Sequence, residues 1–315
     1  MTLARIIQLI PEYRDYVWGG ERLRPGKAPT AEAWVVAGGV VVASGPQAAR
    51  TLDELVRDYG AALLGEGVAP LPGGRFPLLI KLLDSNQWLS LQVHPDDAQA
   101  QQLEGPGQSG KTEAWHVLEA APEARLIAGL KPGVSQPTLQ AAARDGTILD
   151  MVQYLEVNTG DTLYVPAGTI HALGPGLLIY EVQQASDLTY RIYDWGRPQT
   201  GGRILHIDKS LAVANPAVAP QATPQPALAE GDRAVLCQSA YFGLELLAAG
   251  AKALHLDTQA KTFHILTVIE GRARVLAGDE AVELQRYQSA LIPAASGPYR
   301  IEPIERCRLL KVSKE

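Results

Sequence analysis

Punctuation is the feature that most limits what this chain can become. Apolar runs rich in Val, Ile, Leu and aromatics recur along it, and Gly, Pro, Asn or Asp closes them after a few residues. A run that short is long enough for a strand and too short for most helices. The 30 glycines and 22 prolines among 315 residues follow no repeating period, which excludes a collagen-like chain and fits many turns between strands. Strands are predicted at Ala33–Ala43, Trp88–His94, Ala114–Glu119, Thr162–Val165 and Leu177–Val182. Helical signals are few. Thr51-Leu-Asp-Glu54 is a capping box followed by Leu52, Leu55, Val56, Tyr59 and Leu63 at helical spacing. Asp96–Leu103 and Ser135–Ala143 predict two short helices, the latter with Pro137 near its start.

Residues 214–232 hold four prolines and six alanines with no apolar periodicity, and read as a semi-extended linker. The expected organisation is therefore a larger domain over 1–213, the linker, and a smaller β domain over 233–315. The net charge of −6 lacks the basic excess of a nucleic-acid binder. No apolar stretch is long enough for a membrane span, and the N-terminal segment lacks a signal-peptide pattern. Two cysteines, Cys237 and Cys307, suit a reducing compartment. A soluble, cytoplasmic protein with no nucleic-acid or membrane partner is expected.

Four stretches carry chemistry. In Gln87–Asp97, strand alternation puts Leu89, Leu91 and Val93 on one face and Ser90, Gln92 and His94 on the other. In Gly110–Val117, Lys111, Glu113 and Trp115 share a face, and His116 points the other way. Gly160–His171 is a turn, a strand, a Pro-Ala-Gly turn and a histidine. Glu181–Arg191 places Glu181 with Gln183, and Asp187 with Thr189 and Arg191 if extended. Together Gln92, His94, Glu113 and His171 offer two imidazoles, a carboxylate and an amide oxygen. That set suits zinc and equally Fe²⁺ or Mn²⁺, and spacing alone does not choose between them. His206, His255 and His264 lie outside these stretches and are expected to be packed or exposed; Arg203 and Lys209 are expected to be solvated.

The third stretch resembles the second cupin motif, G-D-x4-P-x-G-x2-H, through Gly160, Asp161, Pro166, Gly168 and His171. More specifically, the chain resembles type I mannose-6-phosphate isomerases of the short bacterial form. The matching segments are Trp18-Gly-Gly20, Glu32-Ala-Trp34, Pro77–Lys81, Ser90–Asp96, Lys111-Thr-Glu113, the motif ending at His171, and Ser186-Asp187 through Arg191. The resemblance implies a mainly β chain of two cupin-like jelly-roll β-barrel domains with a few helical insertions, the second degenerate and without metal. It implies one Zn²⁺ per chain on Gln92, His94, Glu113 and His171, with Arg191, Lys111, Glu181 and Asp187 as catalytic residues. Ser90 and Arg197 would meet the substrate phosphate, and Lys81, Glu32 and Trp18 would line the cavity. The implied activity interconverts mannose 6-phosphate and fructose 6-phosphate through an enediol, in a monomer or weak homodimer whose partner is a small sugar phosphate. The alternatives are isomerisation of another, unphosphorylated aldose, or a metal-bound sugar-binding cupin without turnover. The chain departs from the family pattern at Gly110, where many members have His, at Leu173, often Tyr, and in Leu188-Thr-Tyr190 before Arg191.

Overall fold

The computed structural model describes residues 2–200 and 202–314. It is mainly β, built of antiparallel sheets with a few short helices, as the cupin-like expectation requires. The chain divides into two compact units: Met1–Glu12, Trp34–Ile80 and Gln225–Glu315 in one, Tyr13–Ala33 and Lys81–Pro224 in the other. This differs from the boundaries expected at 213 and 233. The Pro/Ala-rich segment is not a free tether: Asn215 N–H donates to Gly168 O at 2.9 Å, and Thr223 pairs with Thr162 in a short bridge. Prolines keep the segment extended, and an extended segment can dock along a sheet edge as readily as it can span a gap. Among the described residues, no helix is long and apolar enough to cross a membrane.

The unit containing Lys81–Pro224 holds a five-stranded sheet in the order Tyr190–Tyr193, Leu91–Val93, His171–Leu173, Arg125–Leu130, Val152–Glu156. A second sheet brings together Leu78–Ser85, Leu177–Gln184, Glu113–Ala120 and Thr162–Val165. Leu126, Ala128 and Leu173 of the first sheet pack with Trp115, Val117, Leu163, Val165 and Ile179 of the second. The other face of the five-stranded sheet, with Leu91, Val93, Ile127, Ala172 and Ile192, is covered by Leu139 and Ala143 of helix Gln136–Asp145 and Leu211 and Val213 of helix Ile207–Val213. Strand Leu91–Val93 therefore has its apolar face buried. Its apolar side meets helices, and its polar side looks into the space between the sheets.

The other unit pairs two sheets around Leu247, Leu266, Val268, Val275, Leu284, Ile292, Ile301 and Leu309. Several local expectations change. The run Ala33–Ala43 is a strand only over Glu32–Val36, because Gly38-Gly39 turns the chain. The helix after Thr51 breaks at Gly60, whose φ is +45°, into Leu52–Tyr59 and Ala61–Leu64. The capping box at Thr51 forms, and the structure adds a second, unexpected one between Asp96 and Gln99.

His116, opposite Glu113 on its strand, is 1% exposed and bonded through Nδ1 to Thr162 Oγ1 at 3.0 Å. Burial pushes its pKa down to about 4. The unfolded chain takes up this proton near pH 6.5, before the folded one does, so stability is full above pH 6.5 and falls between 6.5 and 4. One such group accounts for about 3 kcal/mol across that window. Urea midpoints measured against pH should therefore fall less steeply for His116→Gln than for the unsubstituted protein, by one proton's worth of slope.

Candidate metal centre and its cavity

Gln92, Glu113 and His171 stand on strands, and His94 follows directly after the strand Leu91–Val93. Gln92 lies opposite His171 in one ladder and opposite Arg191 in another. Glu113 pairs with Gln183 and Val165 across the second sheet. His171 is brought in by the turn before it. There Gly168, at φ +84°, donates to His94 O at 2.9 Å, and Thr169 Oγ1 caps Pro166 O at 2.6 Å. A side chain at 168 would be strained in that conformation.

The result is a buried triad, His94, Glu113 and His171, whose donor atoms all lie within 4.8 Å of one another. Each imidazole is oriented from behind: His94 Nδ1 donates to Leu188 O at 2.7 Å, and His171 Nδ1 to Thr169 O at 2.9 Å. Both Nε2 atoms therefore turn lone pairs inward. His171 Nε2 is 3.3 Å from Glu113 Oε1, and His94 Nε2 is 3.7 Å from Glu113 Oε2. Burial keeps both rings neutral. It pushes His171 down to about 4 and His94 well below the usual range, with Lys111 adding to each. Burial also pushes Glu113 up to about 7, against Lys111 and with the help of Glu181. Lone pairs converging without protons between them call for a cation, and Lys111 Nζ partly answers, 2.9 Å from Glu113 Oε2 and 3.1 Å from His94 Nε2. Gln92 Nε2 lies 3.3 Å from His171 Nε2, and Ser90 Oγ donates to Gln92 Oε1 at 3.3 Å. Turning that amide over brings its oxygen to the same place. Two histidines, a carboxylate and an adjacent amide fit a divalent ion such as zinc.

Gln92 and Lys111, which contact the triad, line a cavity of about 620 Å³. Trp18, Glu32, Lys81, Ser90, Gln92, Lys111, Glu181, Asp187 and Arg191, all expected from sequence, line it. Glu181 Oε1 accepts from Trp115 Nε1 at 2.9 Å, and its Oε2 is 3.4 Å from Lys81 Nζ. Burial raises Glu181, but Lys111 and Lys81 outweigh it and hold the carboxyl below its usual value. Lys81 also meets Glu32 Oε2 at 3.5 Å, and these acids raise its pKa despite burial. Arg191 Nη1 donates to Ile204 O at 3.1 Å, while its buried Nε has no acceptor among the described residues.

Arg197, expected at the phosphate, is not among the lining residues. Its guanidinium is spent on Asp194 Oδ1, Gln87 Oε1 and Trp88 O, at 3.1, 3.1 and 2.9 Å. Arg203, expected to be solvated, lines the cavity, as do His206, Tyr16, Thr189 and Thr200. Thr189 shares its face with Asp187 and Arg191, but no local pattern marks Arg203 or His206, because a loop brings them in. His264 is packed as expected, its Nδ1 2.8 Å from Tyr299 Oη.

A donor triad that could hold a metal, set between two antiparallel sheets, is the arrangement of a cupin-type protein. Residues 6–116 match the family described as phosphomannose isomerase type I, catalytic domain. The chain is 35% identical over 306 residues to mannose-6-phosphate isomerase of Streptococcus mutans, covering 92% of this chain and 93% of that one. It superposes on the mannose 6-phosphate isomerase of Bacillus subtilis with a TM-score of 0.88 at 31% identity, covering 98% and 99% of the two chains. A mannose 6-phosphate isomerase solved with zinc bound shares the fold at a TM-score of 0.74 and 18% identity, over 99% and 100% of the chains. The chain belongs to the type I mannose-6-phosphate isomerase family, whose members are aldose–ketose isomerases.

Gly110, where the family often has His, has a packing reason here. A Cβ on it would stand 2.5 Å from Asp96 C and 2.6 Å from Asp97 N, and its N–H is held by Asp97 Oδ1 at 2.7 Å. Gly110→Ala should cost about 1–3 kcal/mol of stability through overpacking, read as a lower thermal midpoint.

Proposed function

We infer that this protein interconverts mannose 6-phosphate and fructose 6-phosphate through an enediol, using one zinc ion per chain held by Gln92, His94, Glu113 and His171. The observation that carries the reading is the convergence of the His94, Glu113 and His171 lone pairs on Lys111, which itself lines a cavity that also presents Arg191. Zinc at these donors supplies a Lewis acid for the oxygens on which charge develops.

The remaining steps belong to side chains. A proton must leave C2 and return to C1, so one base has to serve both carbons. Glu181 suits that role. It is held ionised by Lys111 and Lys81, and Trp115 anchors one oxygen while the other faces Lys81. A general base of this kind contributes about 10²–10⁴-fold. Lys111 and Arg191 keep positive charge beside the enediolate oxygens, and the buried Arg191 Nε–H is a donor left for substrate. Asp187, Glu32 and Trp18 shape the rest of the wall, and Ser90 orients Gln92. The reading includes a cytoplasmic setting, which the two free, buried cysteines suit, and a monomer or weak homodimer.

Purified metal-loaded protein should produce fructose 6-phosphate from mannose 6-phosphate in a coupled assay, lose the activity to a chelator and regain it with zinc. Absence of fructose 6-phosphate would overturn the reading; equal rates with unphosphorylated mannose would overturn its phosphosugar part. Elemental analysis should find about one zinc per chain, and His171→Ala should weaken metal retention at least 10-fold.

A further inference from the structure

The cations of the cavity fall into two groups. Lys81 and Lys111 are matched by carboxylates: Glu32 and Glu181 on the first, Glu113 on the second. Asp187 acts on Lys81 as well, and Asp15 is paired with Arg24. Across the cavity, Arg191 and Arg203, which line it, and Arg197, which stands behind them, share a single carboxylate, Asp194. That acid is 3% exposed and takes Arg203 in a two-point grip, Nε to Oδ2 at 2.8 Å and Nη2 to Oδ1 at 2.6 Å. It also accepts from Arg197 Nη1 at 3.1 Å.

Two consequences follow. The grip fixes the plane of the Arg203 guanidinium and leaves its Nη1 edge for a ligand. Three guanidinium groups against one carboxylate leave two positive charges, the match for a phosphate dianion. These charges feel one another: burial and then Arg203 lower the Arg191 pKa, while Asp194 raises it. His206 adds no charge, since burial and then Arg191 lower its pKa.

We propose that Arg203, aimed by Asp194, is the cation that receives the phosphate of the sugar phosphate, with Arg197 serving as an outer brace on Asp194. Asp194 is a positioning residue. The proposal rests on the reading of the cavity as a sugar-phosphate isomerase site.

The test titrates metal-loaded protein with inorganic phosphate and with fructose 6-phosphate, alongside steady-state kinetics on mannose 6-phosphate. Arg203→Met should weaken both ligands about 10- to 100-fold and raise KM by a similar factor, with a smaller change in kcat. Arg197→Met should do much less. Asp194→Asn should raise KM more than it lowers kcat, and Arg203→Lys should recover part of the phosphate affinity, as a point charge without the fork. Should Arg203→Met lower the thermal midpoint, Arg203→Gln keeps a hydrogen bond to Asp194 while removing the charge and is expected to bind phosphate as weakly. Wild-type affinity in both uncharged variants, or a larger loss in Arg197→Met than in either, would overturn the proposal. Arg203-dependent phosphate binding without turnover of mannose 6-phosphate would leave Arg203 standing and overturn the isomerase reading instead.

Discussion

The interaction on which the rest depends is the meeting of two imidazole lone pairs and a carboxylate in a dry interior. Such a cluster is unfavourable by itself, because neutral Nε2 atoms and carboxylate oxygens repel and no water reaches them. Two backbone carbonyls, Leu188 O and Thr169 O, hold the rings in the tautomer that creates the repulsion. The cluster is tolerated because a cation offsets it: Lys111 in part, and a divalent ion for which the donor set is suited. The acids and bases around it alternate for the same reason. Glu32, Lys81, Glu181 and the Lys111–Glu113 pair form a chain of opposite charges with no long unmatched stretch.

The scaffold explains why the cluster can be rigid. Gln92, Glu113, His171 and Glu181 stand on paired strands, so their Cα positions are set by ladder hydrogen bonds. The five-stranded sheet needs helices on its outer face because its inner face is occupied by function. Leu91 and Val93 flank Gln92 and must be buried somewhere, and helices Gln136–Asp145 and Ile207–Val213 cover the face they share. The other unit shows what a similar pairing of sheets looks like without that burden: Leu, Val and Ile fill its interior, and His264 is bonded to Tyr299.

The segment after Arg191 follows a different rule. It is a loop, and one buried acid organises it. Asp194 gathers Arg197 and Arg203, and Arg191 holds the backbone at Ile204, so the loop's conformation and the charge at the mouth of the cavity are one problem with one solution. A buried carboxylate is costly alone, and here it gains two guanidinium partners.

What the sequence determined by itself was local. Alternation placed Ser90, Gln92 and His94 on one side of a strand and separated Glu113 from His116. The capping box at Thr51 started a helix, and Gly168 marked the turn that delivers His171. These follow from steric and hydrogen-bonding rules acting over a few residues. The three donors His94, Glu113 and His171 could also be picked out from their motifs, and the structure brings their atoms together. Only the tertiary structure decided that the polar face of Leu91–Val93 looks inward, that Ala33–Ala43 breaks at Gly38-Gly39, that residues 214–224 dock on a sheet unit, and that Arg203 rather than Arg197 lines the cavity. Each of these depends on which surface packs against which. The two arginines are six residues apart in one loop, alike in chemistry and both held by Asp194, so only the Gln87 and Trp88 oxygens that take the other end of Arg197 distinguish them.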